Sequence, residues 1–334
     1  MSFFSTTSGP DVAVRAGRPP LLQVDAAGRA VGWTAEHRDP LRAAVAEHGA
    51  LLVRGLGLRD ADEVAAVVGR LAADLVGERE PFAARDRYPG GLYSATKWPQ
   101  NLLMCMHHEL SYTTEFPGLM VFACLVAPSE GGATGVSDST QVLRTLPADL
   151  VARFERDGWM LTRSYNDEIG ATVEEAFGTE DRATIEAYCR ANGIEFGWQP
   201  DGGLQTRQRR SAIVRHPVTG ERCWFNQIAF LNEWTLEPEV REFLIDVYGE
   251  DGLPFNTRYG NGDPIGPEVV DLLNEIYEAH TLAEPWRAGD LLLVDNVRCA
   301  HSREPYSGAR EVVVAMADAV RLADCAPTVE VSRT

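Results

Sequence analysis

The chain has 334 residues and a formal net charge of −18, with 45% hydrophobic and 24% charged residues, the proportions of an ordinary globular protein. A chain this acidic lacks the basic face that phosphate contacts need, so nucleic acid is not an expected partner. The segment Met1-Ser2-Phe3-Phe4-Ser5-Thr6-Thr7 has no basic stretch leading into an apolar one, and no apolar run is long enough to span a bilayer. The six cysteines are scattered without a CxxC pair, so the expectation is a cytoplasmic protein with free thiols and no membrane association.

Taken in order, residues 1–20 read as a loose arm. Pro40 to Gly49 has helical spacing and ends on a glycine, and Ala50 to Gly55 follows as a short strand. Asp60 caps a helix predicted over 61–75, with Val64, Val67, Val68 and Leu71 on one face. Residues 78–100 are rich in turns and aromatics, as befits a loop that covers a site. Strands are predicted at 119–126 and 134–136, then a helix over 140–156 capped by Asp138 or Ser139. Residues 166–210 read as an insertion over the core, helical at 182–191 and ending in the basic run Gln205-Thr206-Arg207-Gln208-Arg209-Arg210. Strand-like pieces return at 212–215 and 222–225, and amphipathic helices at 238–248 and 267–279. Residues 291–296 and 297–301 lead to a last strand, 310–316, expected to pair with 291–296. No Pro/Gly/Ser linker divides the chain, so 1–334 reads as a single domain.

The chemistry centres on Met106-His107-His108-Glu109-Leu110-Ser111-Tyr112. Along a strand His107 and Glu109 project to the same face, and together they supply two of the three ligands of a 2-His-1-carboxylate iron site. Of the remaining histidines, His37, His48, His216 and His280 fall on surface helices or turns and read as satisfied or solvated. His301 lies just past a buried strand and the polar pair Asp295-Asn296. A histidine there is by itself more often structural, but beside His107 and Glu109 it becomes the candidate third ligand.

His107-x-Glu109, the turn Gly131-Gly132-x-Thr134, Asp295-Asn296 leading to His301, and Arg310 opening the last strand together resemble the taurine dioxygenase (TauD/TfdA-like) family over roughly residues 100–318. The stretches His107 to Tyr112, Tyr259 to Ile265 and 289–316 most resemble its SyrP-like branch. The resemblance implies a mainly β fold with surrounding helices, a double-stranded β-helix (jelly roll, cupin-like). It also implies Fe(II) held by His107, Glu109 and His301, with 2-oxoglutarate and O2 as the other cofactors. Arg310 and Thr134 stand where the family pattern holds the far carboxylate of 2-oxoglutarate, a task suited to a guanidinium fork and a hydroxyl; Arg298 and Arg303 compete with Arg310 for it. Three residues depart from the pattern: His108 where Asn is common, Ser302 where Gly is common, and Glu311 where a basic residue is common. A carboxylate at Glu109 points to hydroxylation, since related halogenases carry a small residue there.

The branch resemblance implies an amino acid or amino-acid-derived small molecule as substrate, free or tethered to a peptidyl carrier protein in antibiotic biosynthesis. Asn226, Gln227, Trp224, Phe225, Arg258 and Tyr259 are candidate cavity residues. Arg207, Arg209, Arg210 and Arg215 form a local basic patch that would steer an acidic carrier or a carboxylate. Competing readings are a non-catalytic cupin-like metal or ligand binder, a zinc hydrolase on the same ligands, and an oxygenase that desaturates or cyclises.

Overall fold

The computed structural model describes residues 11–83, 85–166, 168–200 and 202–331. Glu115–Val126 is its central strand, buried along nearly its whole length, as a strand covered on both faces must be. Alternation sends its side chains into two separate cores. Leu119, Val121 and Ala123 join the core beneath helices Arg38–His48 and Ala61–Leu71, while Met120, Phe122 and Cys124 join the core between the sheets. Its neighbours divide in the same way: Leu291 and Leu293 face the helices, Leu292 and Val294 the inner core.

The large sheet has eight strands in the order Val12–Arg15, Arg18–Gln23, Ala50–Arg54, Leu291–Asp295, Glu115–Val126, Glu311–Arg321, Leu92–Ser94, Arg87–Tyr88. A smaller sheet runs Thr281–Leu282, Thr134–Asp138, Cys299–Arg303, Met104–His107 and packs against its inner face to close the roll. A further four-stranded sheet is built from Ile194–Trp198, Leu204–Arg210, Trp159–Tyr165 and Phe255–Tyr259. Among the described residues no helix is long and apolar enough to cross a membrane.

Several expectations need correction. Part of the predicted loose arm forms strands Val12–Arg15 and Arg18–Gln23, the latter pairing in parallel with Ala50–Arg54; residues 1–10 lie outside the described residues. The single helix over 140–156 is two, Ser139–Thr145 and Ala148–Asp157, because Pro147 has no N–H to continue the ladder. The last strand does not pair with 291–295: both flank Glu115–Val126, which lies between them. Residues 194–210, read as the tail of an insertion, supply two strands of the third sheet.

Candidate metal centre and its surroundings

His107 and His301 meet through strand register. They face each other directly across the antiparallel pair Met104–His107 and Cys299–Arg303, and their ring centroids are 4.3 Å apart. Glu109 arrives differently from the way alternation predicts. The strand stops at His107, and the chain turns through Leu110, whose φ of 54° is in the left-handed region. Asn296 holds this turn. Its Oδ1 accepts from the Glu109 N–H at 2.8 Å, and its Nδ2 donates to the carbonyls of Glu109 and Pro117 at 3.0 and 2.9 Å. His108, pointing away, is fixed between the Asn296 carbonyl (Nδ1, 2.6 Å) and the Ser139 hydroxyl (Nε2, 2.7 Å).

One ligand atom from each of His107, Glu109 and His301 can be chosen so that all lie within 4.8 Å of one another, and all three residues are buried. The Nε2 of His301 is 3.7 Å from Oε2 of Glu109. The donors suit a ferrous ion: two imidazoles and a carboxylate, with no thiolate in the group. His107 Nδ1 hydrogen-bonds the Cys105 carbonyl at 2.8 Å, which fixes the tautomer and leaves the Nε2 lone pair available to a metal. Burial lowers the His107 pKa to about 3, with nearby His301 adding to the fall, so the ring is neutral and ready to coordinate. For Glu109 burial pushes the carboxyl up, but the Arg85 guanidinium and His301 outweigh it, and the group lies well below the usual carboxylate range.

Arg85, which the sequence did not single out, is the main electrostatic partner here. Its Nη2 is 3.1 Å from both Glu109 oxygens, while its Nε donates to Thr96 Oγ1 at 2.9 Å and lies 3.4 Å from Glu78 Oε1. Its only forewarning was its place in the turn-rich stretch before the motif.

Thr134 and Arg310 line the same small cavity as the three candidate ligands, together with Phe122, Val312 and Val314 of the large sheet. Arg310 Nε donates to the Gly132 carbonyl at 3.0 Å, and its Nη groups have no hydrogen-bond partner among the described residues. Burial and the neighbouring Arg303 lower its pKa to about 10, so it is still a cation at neutral pH. Its competitors are already engaged: Arg298 grips Asp138 and the Ala46 and Glu47 carbonyls, and Arg303 grips those of Trp98, Pro99 and Leu102.

The proposed substrate residues lie elsewhere. Asn226 and Gln227 are fully buried and brace the motif from behind, where Gln227 Nε2 donates to the His108 carbonyl at 2.8 Å. Trp224 and Phe225 are core residues, Phe225 packing on the His108 ring, and Tyr259 packs on Phe154. Arg207 and Arg258 lie near Asp251 on the third sheet and line neither the metal cavity nor the larger one beside it. The basic run is no patch either: Arg210 is 1% exposed and donates to the Tyr112 and Asn192 carbonyls, and Arg209 turns to the Asp157 carbonyl. Strand alternation explains the split. The four histidines read as structural make ordinary contacts, such as His216 with Asp295 at 2.9 Å and His280 with Thr145 at 2.8 Å.

The sequence profile described as Taurine catabolism dioxygenase TauD, TfdA family matches residues 20–316. The dapdiamide synthesis protein DdaC of Enterobacter agglomerans is 34% identical over 281 residues, covering 84% of this chain and 85% of that protein. A clavaminate synthase-like protein of Arabidopsis thaliana is 26% identical over 281 residues, covering 81% and 82%. In structure the chain is similar to PvcB from Pseudomonas aeruginosa, with a TM-score of 0.52, 15% identity and coverage of 94% and 90%. It is also similar to a taurine dioxygenase from Burkholderia xenovorans, with a TM-score of 0.51, 16% identity and coverage of 92% and 89%. Both likenesses are those of the jelly-roll fold. The chain belongs to the TauD/TfdA family and is an iron- and 2-oxoglutarate-dependent dioxygenase.

Proposed function

We propose that His107, Glu109 and His301 hold the iron, that Arg310 and Thr134 hold the far carboxylate of 2-oxoglutarate, and that the enzyme hydroxylates a C–H bond of an amino-acid-type small molecule in a biosynthetic pathway. The observation that carries this is one cavity shared by three convergent candidate ligands and one half-buried arginine whose Nη groups have no hydrogen-bond partner among the described residues. The relative named for dapdiamide synthesis supports the biosynthetic setting. The iron, once bound, supplies oxygen activation coupled to decarboxylation of 2-oxoglutarate. The chain's residues supply the rest. His107 is held in one tautomer by the Cys105 carbonyl, Arg85 keeps Glu109 ionised, and Phe122, Val312 and Val314 keep the wall facing the ligands apolar. The protein's task is to aim one C–H and exclude competing outcomes.

The test is iron-dependent release of succinate, with mass spectrometry of products. His301→Ala and Glu109→Ala each lose iron binding and turnover. Arg310→Gln retains iron but raises the KM for 2-oxoglutarate at least about tenfold, the loss expected on removing a charged hydrogen-bonding partner. Product gaining one oxygen supports hydroxylation, and product losing two hydrogens assigns desaturation or cyclisation instead. Iron bound as tightly by His301→Ala as by the unaltered protein sinks the ligand assignment.

A further inference from the structure

A cavity of about 550 Å³ lies beside the candidate metal cavity, lined by residues 78–83, by Arg85 and Arg87, and by residues of helices Val173–Phe177 and Arg182–Ala191. Arg85 belongs to the walls of both cavities. Glu80, in the lining of the larger one, is unusual on two counts. It is 2% exposed, and its backbone φ of 46° lies in the left-handed region that residues other than glycine seldom occupy. Strain of this kind is retained where the surroundings over-determine it, and it concentrates at functional sites.

The Glu80 side chain also makes few polar contacts. Its Oε1 accepts from the Tyr188 hydroxyl at 2.7 Å, a neutral donor, and among the described residues no basic side chain forms an ion pair with it. The cations around it are turned to other tasks. Arg163 donates to the backbone carbonyls of Glu80 and Pro81 at 2.6 and 2.8 Å, and Arg210 to those of Tyr112, Arg209 and Asn192. Buried carboxylates are ordinarily matched by a cation, because desolvation without one is costly. In the same lining Glu78 is met by Arg85 at 3.4 Å, and Arg79 is turned to Glu115 at 2.8 Å. At that junction Arg85 keeps Nη1 buried and without a hydrogen bond. Of the acidic groups in this lining, Glu80 is thus buried with no ion pair among the described residues, and the arginine at the cavity's inner end also touches a candidate iron ligand.

We propose that this cavity is the substrate site and that it takes a small molecule bearing an ammonium group. The ammonium seats on the Glu80 carboxylate, and the rest of the molecule extends past Arg85 toward the iron. This rests on the oxygenase reading above and adds to it the polar group by which the substrate is chosen. Glu80 is here a specificity-determining residue that touches substrate.

The experiment uses the full chain loaded with ferrous iron and 2-oxoglutarate, and reads stimulation of succinate release. The panel comprises free α-amino acids, diamino acids and, for each, the counterpart in which hydrogen replaces the amine. Stimulation confined to the amine-bearing members is expected. In Glu80→Gln, which keeps an acceptor for Tyr188 but removes the charge, the KM of the best of them rises at least about thirty-fold, as for removal of one partner of a buried ion pair. The amine-free counterparts act on the unaltered protein, so that arm does not depend on the variant folding. Equal stimulation by amine-free acids, no stimulation by any amine-bearing member, or an unchanged KM in Glu80→Gln overturns the assignment. Iron- and 2-oxoglutarate-dependent succinate release without any panel member, measured alongside, reports separately on the oxygenase chemistry.

Discussion

At the scale of the residue, the interaction with most leverage is Arg85 on Glu109. Both groups are almost fully buried, and each is the other's main compensation. Removing one partner of such a pair leaves an uncompensated buried charge, at a cost of roughly 3–5 kcal/mol. Metal-free Arg85→Gln should be destabilised by about that much. With Glu109 as the proposed iron ligand, ferrous iron would neutralise it in place of Arg85, so iron should raise the melting temperature more in the variant than in the unaltered protein. Thermal unfolding in chelator and in iron checks this, and an equal or smaller iron-induced rise would contradict it. The sequence held the candidate ligands but not this partner. His107 and Glu109 are two residues apart and announce themselves as a motif, whereas Arg85 reaches Glu109 from 24 positions upstream through a segment with no periodicity to fix its path.

At the scale of the element, the site depends on two turns that position side chains from outside the strands. One is the turn after His107, tied by Asn296. The other is Gly131-Gly132, both at positive φ, whose Gly132 carbonyl receives Arg310. A Cβ at Gly132 would lie 2.8 Å from Pro128 Cγ and 2.9 Å from Tyr306 Cβ, and 3.2 Å from Arg310 Cδ, at a φ of 69° that disfavours any side chain. Gly132→Ala should therefore displace Arg310, raising the KM for 2-oxoglutarate at least about tenfold while leaving ferrous affinity near that of the unaltered protein. Calorimetry of iron binding beside steady-state kinetics separates the two, and parallel loss of both would show a general collapse instead. Elements with a strong local signal were legible: helix Arg182–Ala191 and helix Pro267–Ala279 begin and end where their patterns place them. Strand partners were not, because Leu291–Asp295 and Glu311–Arg321 are equally apolar and nothing local says that Glu115–Val126 separates them.

At the scale of the molecule, the centre lies on the inner core shared by the two sheets, so its ionisation is coupled to folding. His108 is enclosed by Phe225, Asn296 and Ser139, and burial lowers its pKa to about 4; His107 falls to about 3 for the same reason. An unfolded histidine titrates near 6.5, so between that value and the folded one the unfolded chain binds more protons than the folded chain. Stability is then full above about pH 6.5 and is lost as pH falls toward 4, at about 1.4 kcal/mol per unit for each ring. For His108 the whole window amounts to roughly 3 kcal/mol. Carboxylates contribute mainly below pH 5, so the interval from pH 7 to pH 5 isolates the histidines. Urea unfolding of the metal-free protein across that interval should show a falling midpoint, and His108→Asn should flatten the slope by about half, whatever it does to stability at pH 7. A slope unchanged by that substitution would mean that the folded protein accommodates a charged His108, and the enclosed ring between Asn296 and Ser139 would not be the neutral brace that holds the ligand turn in place.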